Sequence, residues 1–347
     1  MAGPRVLHIH FGKEGGAERF FVALTRALDS RGVEQRFIIR GGQSWEPDIA
    51  ALGPVIHGNF SHFIRLTGVM QLRLWRLCRQ WRPDGILAWM PRAARLLPAY
   101  PGAVKAVRLG DFPTHLRYFG NCDVVVGNIP AIGEHVRNLG WTGETRTISN
   151  FPRPVVPQPV SRAAHDTPED AFLVVAGGRF VPRKGMDVAL RAVAQVPGAW
   201  LWLLGTGGQE DALKALAAEL GISDRVRFVG WVPEAIHHIA AGDAFVMPSR
   251  HEPLGNMLLE AWRAGVPSIS TRSEGPDWYM HPGVDGILTE IDDVDAIAAG
   301  LERLRANPGE ARAFSRNAAA RLDDWFSEDA VCAAYIDLFR NGPRGHA

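Results

Sequence analysis

At 347 residues the chain has the length of two domains, each large enough for its own core, and its 46% apolar and 22% charged residues match an ordinary soluble globular protein. A formal net charge of +1 and the lack of a recognition motif argue against nucleic acid as a partner, and no apolar run approaches the roughly 18 residues that span a bilayer. Cys78, Cys122 and Cys332 are scattered without metal-ligand spacing and are expected to be free thiols in a reducing cytosol.

In chain order, Pro4-Arg-Val-Leu-His-Ile-His10 predicts a buried first strand over Val6–His10 rather than a signal peptide, since it lacks a charged-then-apolar leader with a cleavage site. A loop with Gly15 and Gly16 follows, then a helix over Ala17–Ser30 with Phe21, Leu24 and Leu28 along one side. Further strands are predicted at Gln35–Arg40, Gly85–Trp89, Val104–Arg108 and Val124–Gly127. The run from Arg65 to Arg82 is the most basic of the chain. As a helix, it places Arg73, Arg76 and Arg79 on one side and Leu74, Leu77, Cys78 and Trp81 on another. That pattern fits a solvated basic face over a sheet, and equally a helix lying on a bilayer surface.

Phe151-Pro-Arg-Pro-Val-Val-Pro-Gln-Pro159 has four prolines in nine residues, which continue neither a helix nor a central strand, and marks a domain linker. Strands are then predicted at Phe172–Ala176, Trp200–Leu204, Val226–Val229, Ala244–Met247 and Ser268–Thr271, and a helix over Phe326–Phe339. Strands alternating with helices predict doubly wound α/β layers with parallel sheets. Charge is uneven: residues 1–155 carry 20 Lys and Arg against 11 Asp and Glu, and the remainder 18 against 26. A basic first half suggests an anionic acceptor or membrane surface there.

Two stretches carry the chemistry. Gly177-Gly178-Arg179-Phe180-Val181-Pro182-Arg183-Lys184-Gly185 leaves a strand and enters the helical run Met186–Val196. Its glycines permit a sharp exit, and Arg179 and Lys184 place two cations beside it; the chain has only four lysines against 34 arginines. Glu252-Pro-Leu-Gly-Asn-Met-Leu-Leu-Glu260 follows a strand and a Pro248-Ser249 turn and opens a helix that stops at Gly265-Val266-Pro267. The N–H groups and dipole of such a helix start suit a phosphate, and flanking carboxylates suit the hydroxyls of a nucleotide sugar.

These stretches, with Gly15-Gly16-Ala17-Glu18-Arg19, Leu204-Gly205-Thr206-Gly207 and Val226-Arg-Phe-Val-Gly230-Trp231, resemble the retaining GT-B glycosyltransferases of the family 4 type (glycosyl transferases group 1), whose signature is two glutamates separated by seven residues. The resemblance runs over most of the chain. It implies an acceptor-binding Rossmann-like domain over 1–155, a donor-binding domain over 156–325, and a terminal helix within 326–347 that crosses back to the first domain. It implies that a sugar passes from a nucleoside-diphosphate sugar to an acceptor hydroxyl. UDP with a hexose or N-acetylhexosamine is expected over GDP with mannose, and the basic first half points to a glycan or glycolipid acceptor such as lipopolysaccharide core. The nucleotide sugar is a co-substrate, with no cofactor and no metal. The enzyme would work in the cytoplasm at the inner face of the cytoplasmic membrane.

By the same resemblance, Arg179 and Lys184 stabilise the departing diphosphate, Glu252 meets the transferred sugar, and Glu260 binds the ribose. The N–H groups of Leu254, Gly255 and Asn256 hold sugar and phosphate, beside Gly16 and Gly178. Asn256 stands where the group usually has an apolar residue. Trp231 either lines the base pocket or packs. Lys13 and Glu18 are acceptor-side candidates. The first-domain histidine of the group has no clean counterpart, because the end of that strand reads Val107-Arg108-Leu109-Gly110-Asp111 with His115 four residues on. Asp111 and His115 are therefore alternative groups to orient the acceptor hydroxyl, while His8, His10 and His251 read as structural. Asp293-Val-Asp295 mimics a metal-binding acidic pair but precedes a helical run, so it reads as a cap. Two readings compete with transfer: a nucleotide-sugar epimerase and a catalytically silent binding module.

Overall fold

The computed structural model describes residues 3–13, 15–58 and 69–343, and Arg65, the start of the basic run, lies outside them. Strands β1 (Arg5–His10), β2 (Glu34–Ile39), β3 (Val55–His57), β4 (Gly85–Trp89), β5 (Val104–Leu109), β6 (Val124–Gly127) and β7 (Glu144–Thr147) form one sheet in the order β3-β2-β1-β4-β5-β6-β7. Strands β8 (Leu173–Gly177), β9 (Trp200–Leu204), β10 (Val226–Gly230), β11 (Ala244–Met247), β12 (Ser268–Thr271) and β13 (Ile287–Thr289) form a second, ordered β10-β9-β8-β11-β12-β13. Every pairing is parallel. The order reverses beside β1 and beside β8, as in Rossmann-like folds, where ligands bind at the carboxyl ends of the strands.

The central strands are buried on both faces, so they read as continuous apolar runs: every residue of β4, β5, β6, β8, β11 and β12 is buried. The chain divides into two compact units, Met1–Phe151 with Glu328–Ala347, and Pro152–Ser327.

In the first unit the helix Gly16–Asp29 buries Phe20, Phe21, Leu24 and Leu28. They share a core with Val331, Cys332, Tyr335, Leu338 and Phe339 of the last helix, Glu328–Asn341. That helix is pinned at its start by Arg31, which bonds Glu328 at 2.9 Å and also Asp329, and further on by Arg146 to Asp337 at 2.8 Å. A Cβ on Gly85 would collide with the Phe339 ring, so that ring lies directly on the β4 backbone. Phe326, where the sequence places the helix start, instead follows the preceding helix Pro308–Trp325, and its ring packs on Tyr279 at 5.2 Å in the second unit. The helix Val69–Trp81 buries Leu74, Cys78 and Trp81 and exposes Arg73, Arg76 and Arg79 with Leu72 and Trp75.

In the second unit the helices Met186–Ala194 and Val294–Ala306 cover one face of the sheet. Asp293 caps the second of these, accepting from the Ala296 N–H at 2.9 Å, while Asp295 accepts from Gln195 at 2.8 Å. Burial pushes the thiols of Cys78 and Cys332 up to about 12 and about 11, which leaves them protonated and unreactive.

Candidate functional site

In the second unit the loops leaving β8, β9, β10 and β11 meet at the carboxyl edge of the sheet. Gly178 N–H donates to the Leu204 carbonyl at 2.9 Å, Phe180 N–H to Thr206 at 2.9 Å, and Gly205 N–H to Gly230 at 2.7 Å. The β8 exit turns through a short 3-10 helix, Pro182–Lys184, and ends at Gly185 in the left-handed region with φ +66°. A Cβ there would strike the Pro248 carbonyl oxygen, so only glycine lets this loop lie against the β11 exit. Arg250 N–H closes the seam by donating to the Arg183 carbonyl at 2.8 Å.

This seam brings Lys184 and Glu252, 68 residues apart in sequence, into a direct ion pair in which both side chains are largely buried. Ser249 Oγ donates to the same Glu252 oxygen at 3.2 Å. Glu252 is fixed from behind by Glu274, which accepts its N–H at 3.0 Å and meets His251 Nδ1 at 2.7 Å. Burial pushes the Glu274 carboxyl up, but those N–H groups, the His251 ring and its own backbone outweigh it and hold the group below the usual carboxylate range.

The helix Asn256–Arg263 starts at Gly255, whose φ of +89° sits in the left-handed region. A Cβ there would lie 2.7 Å from Met247 Cε and 3.1 Å from the Tyr279 hydroxyl. Tyr279 in turn donates to the Leu254 carbonyl at 2.8 Å. Burial first, then the Glu252 and Asp285 carboxylates, hold its phenol well above the usual range, so it remains a donor. The first turn of this helix carries the positive end of its dipole, with Leu258 N–H donating to the Gly255 carbonyl at 2.9 Å. Leu254 and Gly255 are buried, and Asn256 and Glu260 are half-buried on that helix. Arg179 is exposed, and its guanidinium makes no hydrogen bond or ion pair among the described residues. Trp231 follows β10 and is 64% exposed, too open for a core residue.

Sequence reasoning missed Arg250. Its guanidinium forks onto Asp187 at 3.0 and 2.7 Å, bonds Asp292 at 2.7 Å and reaches the Pro182 carbonyl at 2.7 Å. Burial pushes the Asp187 carboxyl up, but Arg250 and two backbone N–H groups hold it below its ordinary value. The clamp fixes the Pro182–Gly185 turn from which Lys184 projects. The only sequence signal was an arginine directly after Pro248-Ser249; its partners lie 63 and 42 residues away.

In the first unit, the helix after β1 begins at Gly16, one residue earlier than the periodicity suggests, with Gly15 as its cap at φ +155°. Gly16 therefore belongs to the helix start rather than to the loop. The close approach falls on Gly12, where a Cβ would collide with the Glu18 carboxylate folded beneath it. Glu18 lies 3.6 Å from His10. Arg108, at the end of β5, is buried beside Phe20 and Trp89 at 5.0 and 5.3 Å and donates to Asn150. Asp111 and His115 lie on the loop that follows β5; Asp111 caps its own turn by accepting from Phe112 N–H at 2.9 Å, and His115 packs edge-on against Tyr118 at 5.1 Å.

The fold matches solved glycosyltransferase structures. A structure of Anabaena Alr3699/HepE in complex with UDP superposes with TM-score 0.83 over 96% of this chain and 98% of that one, at 19% identity. This defines a GT-B architecture of two Rossmann-like α/β layers. The family described as Glycosyl transferases group 1 matches residues 157–321. Two relatives from Rhizobium meliloti (strain 1021) are similar over nearly the whole length. The lipopolysaccharide core biosynthesis glycosyltransferase LpsE is 45% identical over 98% of this chain and 100% of its own, and LpsD 45% over 97% and 98%. The chain belongs to the glycosyl transferases group 1 family, and is a glycosyltransferase of GT-B fold.

Proposed function

We propose that the protein transfers a sugar from a UDP-sugar to a hydroxyl of a lipopolysaccharide core acceptor, with retention of anomeric configuration and without a metal. The Lys184–Glu252 pair, held on two stitched loops beside a helix N-terminus, carries this reading. Here the second unit holds the donor and the first the acceptor. The acceptor oxygen bonds to the anomeric carbon as the bond from that carbon to the phosphate oxygen breaks. The departing diphosphate takes the electron pair, and the acceptor proton passes to it on the same face. Negative charge grows on the diphosphate, and Arg179, Lys184 and the N–H groups from Leu254 to Asn256 meet it. Glu252, freed from Lys184 by the incoming phosphate, accepts from the sugar hydroxyls. Glu260 accepts from the ribose, Trp231 flanks the base, and Gly178 gives the phosphates room. Asp111 or His115 orients the acceptor, and Gly16 at the helix start serves the donor side.

The acceptor class comes from LpsE and LpsD, whose names place them in lipopolysaccharide core biosynthesis, and it agrees with the basic first half of the chain. The uridine preference follows the UDP held by the HepE fold relative. The exposed Arg73, Arg76, Arg79, Leu72 and Trp75 of the helix Val69–Trp81 supply a cytoplasmic-leaflet contact; among the described residues no helix is long and apolar enough to cross a membrane.

The test is the rise in melting temperature of the purified protein with UDP-, GDP-, ADP- and dTDP-sugars in chelator. A ligand at about 100 times its Kd adds about 2.7 kcal/mol to the folded state. One nucleotide should give a clear shift, lost in Lys184→Ala and Glu260→Ala. No shift with any of them removes the donor site, and donor turnover without acceptor points to the epimerase.

A further inference from the structure

The loop that leaves β5 does more than carry Asp111 and His115. Two turns, Phe119 N–H to Leu116 at 2.9 Å and Cys122 N–H to Phe119 at 2.9 Å, fold it back against the short helix Met90–Ala94 that follows β4. Because β4 and β5 are neighbours in a parallel sheet, the segments that follow them return side by side toward its amino edge, where Asn121 donates to the Leu97 carbonyl and Asp123 N–H to Lys105 at 2.7 Å. His115, edge-on to Tyr118 at 5.1 Å, joins this stretch to the Asp111 end of the loop. Between them lies a recess of about 390 Å³ lined by Ala94, Arg95, Arg117, Tyr118, Gly120 and Asn121.

None of these residues is acidic. Arg95 and Arg117 come from the two segments and converge on one ring: their guanidinium carbons lie 5.5 and 4.7 Å from the centre of Tyr118. Stacking on an aromatic orients a guanidinium while leaving its N–H fork available. Neither arginine has an ion pair or side-chain hydrogen bond among the described residues. The amide nitrogen of Asn121 donates to the Leu97 carbonyl at 2.8 Å, so its orientation is fixed and its oxygen can accept from a hydroxyl. A concave surface whose only charges among the described residues are two forks fits a doubly coordinated oxyanion, a phosphate or a carboxylate.

We propose that this recess binds an anionic substituent of the acceptor glycan and so sets which residue of the acceptor faces the Asp111–His115 loop. The proposal rests on the reading that the first unit takes the acceptor. It adds a subsite selective for phosphate or carboxylate, separate from the reacting hydroxyl.

Calorimetric titration with deacylated lipopolysaccharide core oligosaccharide tests it, using the oligosaccharide intact, phosphatase-treated and carboxyl-reduced. The intact form should bind about tenfold or more tightly than one of the two neutralised forms. The double variant Arg95→Gln/Arg117→Gln should bind all three alike, at the level of the neutralised form. Its far-UV circular dichroism and UDP affinity should equal those of the unaltered protein. Equal binding of the three forms by the unaltered protein, failure of the intact form to bind, or discrimination retained in the double variant overturns the proposal. Phosphatidylglycerol vesicles separate the sources: if the double variant loses only vesicle binding, the arginines read lipid headgroups and the proposal falls. Since UDP affinity is measured separately, loss of UDP binding with oligosaccharide discrimination intact overturns the donor reading and leaves this one standing.

Discussion

His8 and His10 occupy alternate positions of β1 and are both completely buried. Trp89 donates to His8 Nδ1 at 3.4 Å, which places the His8 proton on Nε2, where Gln35 accepts it at 3.0 Å; Gln35 in turn donates to the Thr25 carbonyl at 2.8 Å. Burial lowers His8 to about 3 and, with the charge of Arg108 and the neighbouring His8, lowers His10 to about 3. The unfolded chain titrates these rings near 6.5 and so binds protons the folded chain refuses. Stability is therefore full above about pH 6.5 and falls as pH drops toward 3, at up to about 1.4 kcal/mol per pH unit for each ring. Urea midpoints of the unaltered protein and of His10→Phe between pH 7 and 5 check this. The variant fits the aromatic surroundings of Phe21, Trp45 and Trp89 and should show the shallower slope; equal slopes refute the assignment. At this scale the site was partly legible. Lys184, Glu252 and Gly255 stand out because cations, carboxylates and glycines cluster at strand exits. The Lys184–Glu252 contact itself was hidden, because nothing in a linear sequence registers a pairing made by the seam between two strand exits.

The elements show why some were easier to read than others. β4, β6, β9, β11 and β12 follow from apolar runs, since a parallel strand covered on both faces has no polar alternation to obscure it. β3, β7 and β13 were missed; all three are edge strands, β7 reads Glu-Thr-Arg-Thr, and the other two have three residues each. Between elements, the seam around Gly185 and Arg250 fixes where Lys184 points. Arg250→Lys keeps the charge but loses the fork onto Asp187. The pair is about one-third exposed, so the expected stability loss is only about 1 kcal/mol. The donor KM should rise about tenfold with kcat changed less, because a displaced turn weakens binding before chemistry. A donor KM equal to that of the unaltered protein, with the stability loss present, would confine Arg250 to a purely structural role.

At the scale of the molecule, the first unit is discontinuous: its core needs Val331, Tyr335, Leu338 and Phe339 from the far end of the chain. Residues 152–327 expressed alone should unfold cooperatively and carry the proposed UDP site, whereas residues 1–151 alone should lack a cooperative transition. Phe339→Ala in the full chain should cost about 3–5 kcal/mol in the first unit while leaving UDP affinity unchanged. Cooperative unfolding of 1–151 by itself would contradict this division. The proline run that reads as a linker lies at the point of division, between Phe151 and Pro152. The return of the chain was visible only by resemblance, because a terminal amphipathic helix carries no label for the sheet it will cover.

The discontinuity also dictates an order of events on the ribosome. After residue 151 emerges, 176 further residues are made before Glu328 appears. At about 5–20 residues per second that is a wait of about 10–35 s. Throughout it, the groove that Phe339 later fills remains open beside β4 and β5, while the second unit can already complete itself. Nascent chains should therefore recruit holdase chaperones through their first 151 residues. A message cut short before codon 328 would yield a polypeptide whose first unit lacks Val331, Tyr335, Leu338 and Phe339 from its core. The last helix thus closes the first unit, because only a chain that includes it covers the groove beside β4.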